Sequence, residues 1–215
     1  MHNKHKQAFK AYKQGKGKTM QPLNIAVVSL KGGIGKSNTS LLLFEAFRHV
    51  GKVVRLNDWD GQGTSTKALR NFYPEYESEK AASPEIVIWD TPPSLEHTAT
   101  AAAVRSADIV LVLTTPAPSD GWTVAETMDF IRGKMKAGAV VRVILNKFRK
   151  GTILSRYVDL AQPLAGAEFL RVMIQERECY KQMPVTGWDG LEASAKQEVL
   201  EFAVSVASLP RPSLQ

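Results

Sequence analysis

The chain has 215 residues, 44% of them apolar and 23% charged, which suits one globular domain with a sizeable core. A single cysteine, Cys179, excludes an intrachain disulfide framework and any four-thiolate metal site built by one chain. The net charge of +7 is concentrated in the first twenty residues, where Lys4, Lys6, Lys10, Lys13, Lys16 and Lys18 stand without a single acid. That segment lacks the apolar stretch of a secretory signal, and no run in the chain approaches the roughly 20 apolar residues that cross a bilayer. A cytoplasmic protein is the plain reading. Residues 1–22 read as a basic, flexible tail, residues 23–208 as the domain and residues 209–215 as a flexible end. With Phe9 and Tyr12 interleaved, the tail suits a nucleic-acid backbone; it equally suits a solvated arm or sequence ahead of a start at Met20.

From Asn24 the pattern changes. "NIAVVSL" is a buried-strand run, and "NTSLLLFEAFRHVG", beyond a glycine loop, has helical apolar spacing with Gly51 placed as a C-cap. "KVVRLND" reads as a second strand and "WDGQGTST" as a loop. "EIVIWD" is a third strand, followed by "TPPSL" and an alanine-rich helix, "EHTATAAAVRSA". "DIVLVLTT" is a fourth strand, and "SDGWTVAETMDFIRGKMKAG" a helix with Ser119 or Asp120 as N-cap. "AVVRVILN" is a fifth strand. Beyond it "TILSRYVDLAQPLAG" reads as helical, "EFLRVMI" as a last strand and "LEASAKQEVLEFAVSVAS" as a final helix. Strands alternating with helices predict an α/β, three-layer fold: a mainly parallel sheet covered by helices on both faces.

The loop "KGGIGKS" lies between the first strand and the first helix, the context a phosphate-binding loop requires. Its glycines let backbone N–H groups turn inward, and the helix N-terminus adds positive potential. Lys36 is placed to reach the β and γ phosphates of ATP, and Ser37 to offer its hydroxyl to Mg²⁺. The strict pattern places its first glycine where this chain has Ser29 or Leu30. A tight strand-to-helix turn is the alternative. Carboxylates then recur at the ends of the next two strands, where ligands of open α/β sheets bind. Asp58 and Asp60 lie 22 and 24 residues after Lys36, two apart and therefore able to face one side. Asp90 ends the third strand, and Pro92 and Pro93 prevent that strand from continuing.

These three motifs resemble those of the ParA/MinD family of deviant Walker A ATPases, whose loop reads Lys-Gly-Gly-X-Gly-Lys-Ser/Thr. The resemblance spans about Asn24 to Val206 and brings the expectation of a phosphate-loop NTPase fold. It implies that Lys31, Gly32, Gly33, Ile34, Gly35, Lys36, Ser37 and Asn38 bind ATP, with Lys31 reaching the nucleotide of a partner copy. It also implies that Asp60 orients the attacking water, that Asp58 and Asp90 support Mg²⁺ with Ser37, and that Asn146 contacts adenine. Asn38 departs from the threonine common at that place, and Gly61 from the proline. The 29 residues between Asp60 and Asp90 make this a compact member.

Within the family, one cysteine excludes the iron–sulfur branches. The end "LEFAVSVASLPRPSLQ" has no lysine and does not suit a membrane-surface helix. A dethiobiotin synthetase leaves Lys31 and the Asp-X-Asp pair unexplained. The resemblance thus implies a small ParA-type partition ATPase, cytoplasmic and nucleoid-associated. Such an enzyme is a homodimer when ATP-bound, holds DNA nonspecifically and is triggered by a ParB-like centromere-binding or adaptor protein. Arg149, Lys150, Arg156, Arg171, Arg177 and Lys181 are the candidate DNA contacts. Two alternatives stand beside it: a relative that positions a protein cargo, and a nucleotide-gated interaction module with little hydrolysis. If the tail follows DNA, removal of residues 1–19 lowers the log–log salt slope of DNA binding by about 2 to 4; an unchanged slope makes the tail a solvated leader.

Overall fold

Leu23–Val28 forms the central strand, β1, because apolar residues on both of its faces have helices to bury against; only Asn24 is partly exposed. The computed structural model describes residues 21–74, 76, 83–94, 98–153, 159–160 and 162–210. After β1 come α1 (Lys36–His49), β2 (Val54–Asp58), α2 (Thr64–Phe72), β3 (Ile86–Asp90), α3 (Thr98–Ser106), β4 (Ile109–Thr114), α4 (Pro118–Arg132), β5 (Val140–Leu145), α5 (Glu178–Thr186) and α6 (Ala193–Ala207). The five strands are all parallel, in the order β2-β3-β1-β4-β5. The α/β architecture expected from the alternating pattern is the one observed.

Strand alternation divides the core in two. Ile25 and Val27 face a layer holding Leu41, Phe44, Met183 and Phe202 from α1, α5 and α6. Ala26 and Val28 face a second layer with Ala103, Val124, Met128 and Ile131 from α3 and α4. Phe44 and Phe202 are among the largest fully buried side chains, and truncating either to alanine costs about 3–5 kcal/mol. Parallel pairing also brings the strand ends together: Val27 stands opposite Asp90, and Asp90 opposite Asp58. The site is built at that end.

Four sequence expectations change. The segment "EFLRVMI" is not a sixth strand. It runs beside β5 through bridges and hydrogen bonds such as Leu170 N–H to Val143 O at 2.8 Å, too irregular for a continuous ladder. The helix expected to open at Ser119 or Asp120 begins at Pro118, a residue whose fixed φ and missing N–H suit a first turn, with Ala117 as N-cap. It ends at Arg132 rather than near Gly138. Of "TILSRYVDLAQPLAG", residues 154–158 and 161 lie outside the described residues, and 162–166 are not helical, Leu164 instead bridging to Ala167. α2 and α5 have no counterpart in the expected elements; α2 begins inside the stretch read as a loop.

Tyr76 closes the outer side of β2. Its hydroxyl accepts from Leu56 N–H at 2.8 Å and donates to Leu56 C=O at 2.6 Å, and the residue is buried. Tyr76→Phe therefore strands both backbone groups and lowers stability by about 1–3 kcal/mol. Urea unfolding checks this as a fall in midpoint at unchanged slope.

Candidate nucleotide-binding site

The seven residues between β1 and α1 carry the glycine loop. Gly33 (φ 71°) and Gly35 (φ 100°) occupy the left-handed region, which other residues rarely enter. Gly35 is the N-cap of α1; no side chain caps the helix and its first turn holds no acid. The first-turn amides thus keep the positive potential that suits a phosphate. A Cβ on Gly35 would lie 2.6 Å from Asn146 Nδ2, so this position has no room for a side chain.

That close approach comes from a brace beneath the loop. Asn146, buried at the end of β5, donates through Nδ2 to Ile34 O at 2.7 Å and accepts at Oδ1 from Lys147 N–H at 2.9 Å. Lys147, itself left-handed at φ 53°, donates through Nζ to Gly33 O at 2.7 Å. Asn146, expected against the base, has both ends of its amide engaged on the protein. Lys147 is a loop-bracing residue that the sequence pattern did not single out; the adjacent Asn-Lys pair at a strand end was its only signal.

Lys36 is buried in the first turn of α1, with Nζ donating to Lys31 O at 3.5 Å. Burial lowers its pKa, against the opposing pull of the Asp90 and Asp60 charges. Asp90 is fully buried. Its Oδ2 accepts from Ser65 Oγ at 2.6 Å, Ser37 lies close enough to oppose the rise in its pKa, and Oδ1 accepts no hydrogen bond. Burial pushes this carboxyl up to about 6. A buried carboxylate oxygen without a partner beside a serine hydroxyl is the hard-oxygen donor set that Mg²⁺ takes, so Ser37 and Asp90 fit that ion. Ser65, from α2, positions Asp90 and escaped the sequence reading because its helix did.

Asp58 and Asp60 have different surroundings. Asp58 accepts from Asp60 N–H at 3.1 Å and from Thr66 N–H at 2.8 Å, so each oxygen takes a backbone amide and the side chain ties β2 to the start of α2. Asp60 accepts from Gln62 N–H at 3.0 Å, and its charge reaches Lys36.

With this geometry in view, comparison with known proteins is decisive. Residues 25–187 match the CobQ/CobB/MinD/ParA nucleotide binding domain. The chain belongs to this family. A relative from Gloeobacter kilaueensis, named maintenance of carboxysome distribution protein A, is 31% identical over 193 residues, covering 80% of this chain and 88% of its own. Its namesake from Halothiobacillus neapolitanus is 25% identical over 191 residues, with the same coverage. A protein assigned to plasmid partition in Borrelia burgdorferi B31, solved with AMPPNP, superposes with a TM-score of 0.64 at 15% identity, over 86% of this chain and 98% of that one.

The family's leading lysine is held here within its own chain. Lys31 Nζ forms an ion pair with Asp120, whose side chain is only 2% exposed while that of Lys31 is 46% exposed. Thr115 Oγ1 donates to the other Asp120 oxygen at 2.6 Å. Burial pushes the Asp120 carboxyl up, but the hydrogen bonds from Lys31 and Thr115 outweigh it and hold the group below the usual range. Asp120, expected to cap α4, instead holds Lys31.

The basic candidates divide. Arg149 pairs with Glu176 at 2.7 Å, Lys181 with Glu178 at 3.2 Å, and Arg177 with Glu198 at 3.1 Å. Lys150 and Arg171 are exposed and make no ion pair among the described residues, and Arg156 lies outside those residues. Three of the six candidates thus carry an acidic partner in the free chain. No helix among the described residues is long and apolar enough to cross a membrane.

The raised Asp90 carboxyl fixes two pH trends. The native state holds this proton more tightly than the unfolded chain, so ionisation weakens the nucleotide-free fold as pH rises through about 6. Asp90→Asn therefore raises Tm more at pH 8 than at pH 5. Metal binding follows the opposite sign, because it needs the ionised form: Mg²⁺-dependent nucleotide affinity in the native protein falls about tenfold per unit below that pKa. Thermal melts and nucleotide titrations across pH 5–8 check both.

Proposed function

We propose that the protein is a Mg²⁺-dependent ATPase of the positioning kind, forming an ATP-bound sandwich dimer that distributes a protein cargo over nucleoid DNA. The observation that carries this reading is the division of labour between two lysines on one loop. Lys36 is buried and faces Asp60 and Asp90, whereas Lys31 is half-exposed and held only by Asp120. Lys36 and the loop amides bind the β and γ phosphates. Ser37 and Asp90 hold Mg²⁺, which supplies charge neutralisation on the transferring phosphoryl group. Asp60 orients the attacking water, and Asn146 keeps the loop in shape. Lys31, released from Asp120, adds a cation at the partner's γ phosphate, where transition-state charge develops.

The relatives' names, concerned with carboxysome distribution, favour a protein cargo over a replicon. An adaptor protein then stimulates hydrolysis, and Lys150, Arg171 and the tail lysines supply the nonspecific DNA contacts. The second reading, plasmid partition with a ParB-like partner, draws on the likeness to the Borrelia burgdorferi protein.

The test is turnover and dimerisation with ATP, ADP and DNA. Asp60→Ala lowers kcat by about 10²-fold or more while ATP binding stays within about twofold. Lys31→Ala keeps monomer nucleotide binding but loses the ATP-dependent dimer in gel filtration. A Lys31→Ala protein that dimerises and turns over normally overturns the trans role.

A further inference from the structure

Between the two aspartates stands Trp59, a large ring with no part in phosphate chemistry. β2 ends at Asp58, and just beyond it the Asp60 charge acts on Lys36 while Trp59 packs at the rim of the α3–α4 core. Its ring lies against Trp89, centroids 4.5 Å apart and tilted by 56°. Trp89 immediately precedes Asp90, so two successive rings sit behind the carboxylate-bearing ends of β2 and β3.

The two rings are anchored unequally. The Trp89 indole N–H donates to Asn24 Oδ1 at 3.4 Å, and Asn24 N–H in turn donates to Asp108 Oδ2 at 2.7 Å, tying Trp89 to β1 and β4. Among the described residues the Trp59 indole N–H has no hydrogen bond; its backbone N–H donates to Asp90 O at 2.9 Å. Trp59 therefore rests on a ring that is itself fixed. The loop it enters, Asp60-Gly61-Gln62-Gly63, has two glycines in four residues and turns through a left-handed Gly63 at φ 64°, so little intrinsic stiffness holds Asp60 in place. Asp60 donates its N–H to Asp58 Oδ1 at 3.1 Å and accepts from Gln62 N–H at 3.0 Å and, at its C=O, from Gly63 N–H at 2.9 Å, all bonds within the same short turn; the Trp59 ring on Trp89 ties that turn to the core. Both rings are only partly buried, at the edge of the core and beside the Asp90 end of β3.

We infer that Trp59 is a positioning residue for hydrolysis, seated on Trp89 so that the Asp60 carboxylate stays aimed at the phosphate end of the site. The inference rests on the ATPase reading given above for Asp60. A displacement of Asp60 by about 1 Å is enough to cost up to 10²-fold in rate, without touching the groups that bind nucleotide.

The experiment compares Trp59→Ala, Trp59→Phe and Asp60→Ala in the full chain, below the melting temperature of each. It reads kcat for ATP, affinity for AMPPNP, and the far-UV circular dichroism couplet that two adjacent indoles produce. Trp59→Ala lowers kcat by at least ~10-fold with AMPPNP affinity within about twofold, and loses the couplet. Trp59→Phe, which keeps a ring on Trp89, returns kcat to within about threefold although the couplet stays lost. A Trp59→Ala protein with the native kcat overturns the inference, as does an equal fall in kcat and AMPPNP affinity, or a Trp59→Phe protein as slow as Trp59→Ala. If Asp60→Ala is inactive while Trp59→Ala is not, this inference alone fails. If Asp60→Ala keeps the native rate, both this inference and the role given to Asp60 fail. Should Trp59→Ala not fold, Trp59→Leu carries the same comparison.

Discussion

Asp90 is the constraint around which the site is organised. A carboxylate at zero exposure, one oxygen held by Ser65 and the other without a hydrogen bond, is unfavourable unless a cation or proton compensates it. Lys36 supplies part of that charge from α1, and its own burial, which lowers its pKa, outweighs the upward pull of Asp90. Parallel register then does the rest. Because Asp90 stands opposite Val27 on one side and Asp58 on the other, anything bound to it lies between the glycine loop and the β2–α2 turn. The chemistry therefore follows from where three strands end, and the helices serve to keep those ends aligned.

On the function proposed above, the side chains around that centre fall into those aimed at a ligand and those that aim them. Lys36, Ser37, Asp60 and Asp90 belong to the first group. Asp58, Ser65, Asn146 and Lys147 belong to the second, each spending its polar atoms on backbone or on another site residue. Lys31 is set apart by its pairing with Asp120 on α4, which leaves the loop with one cation committed inward and one committed to a neighbouring helix. Such a pair is easier to exchange than a buried hydrogen bond, because Lys31 stays in contact with water.

Much of this was legible in the chain itself. Lysine, glycine and serine in a fixed spacing after an apolar run, and aspartates at successive strand ends, name their own positions because backbone geometry leaves few alternatives. What the sequence concealed was tertiary. Ser65 was hidden because α2 follows a glycine and has no side-chain cap at its start. Asp120 carried the signature of a helix cap, and only packing shows that it points to Lys31. That the Asn146 amide reaches Ile34 and Lys147 is likewise seen only in the folded chain. The surroundings of the basic residues were hidden for the same reason: counting charges along a chain cannot show that Arg177 lies between Glu192 and Glu198. The "EFLRVMI" run has strand composition, yet only scattered bonds to β5 form.

The hydroxyl of Tyr76 has a consequence for how two copies can meet. It occupies the outward-facing N–H and C=O of Leu56, and on the opposite side of the sheet the backbone of residues 168–174 takes up Val143 and Leu145. Neither border offers a continuous row of open backbone groups, so a second chain cannot join by extending the sheet, and the exposed-edge route to misassembly is obstructed at both ends. On the dimer proposed above, self-association falls instead to the loops at the carboxyl ends of the strands, where its strength can answer to whatever those loops hold.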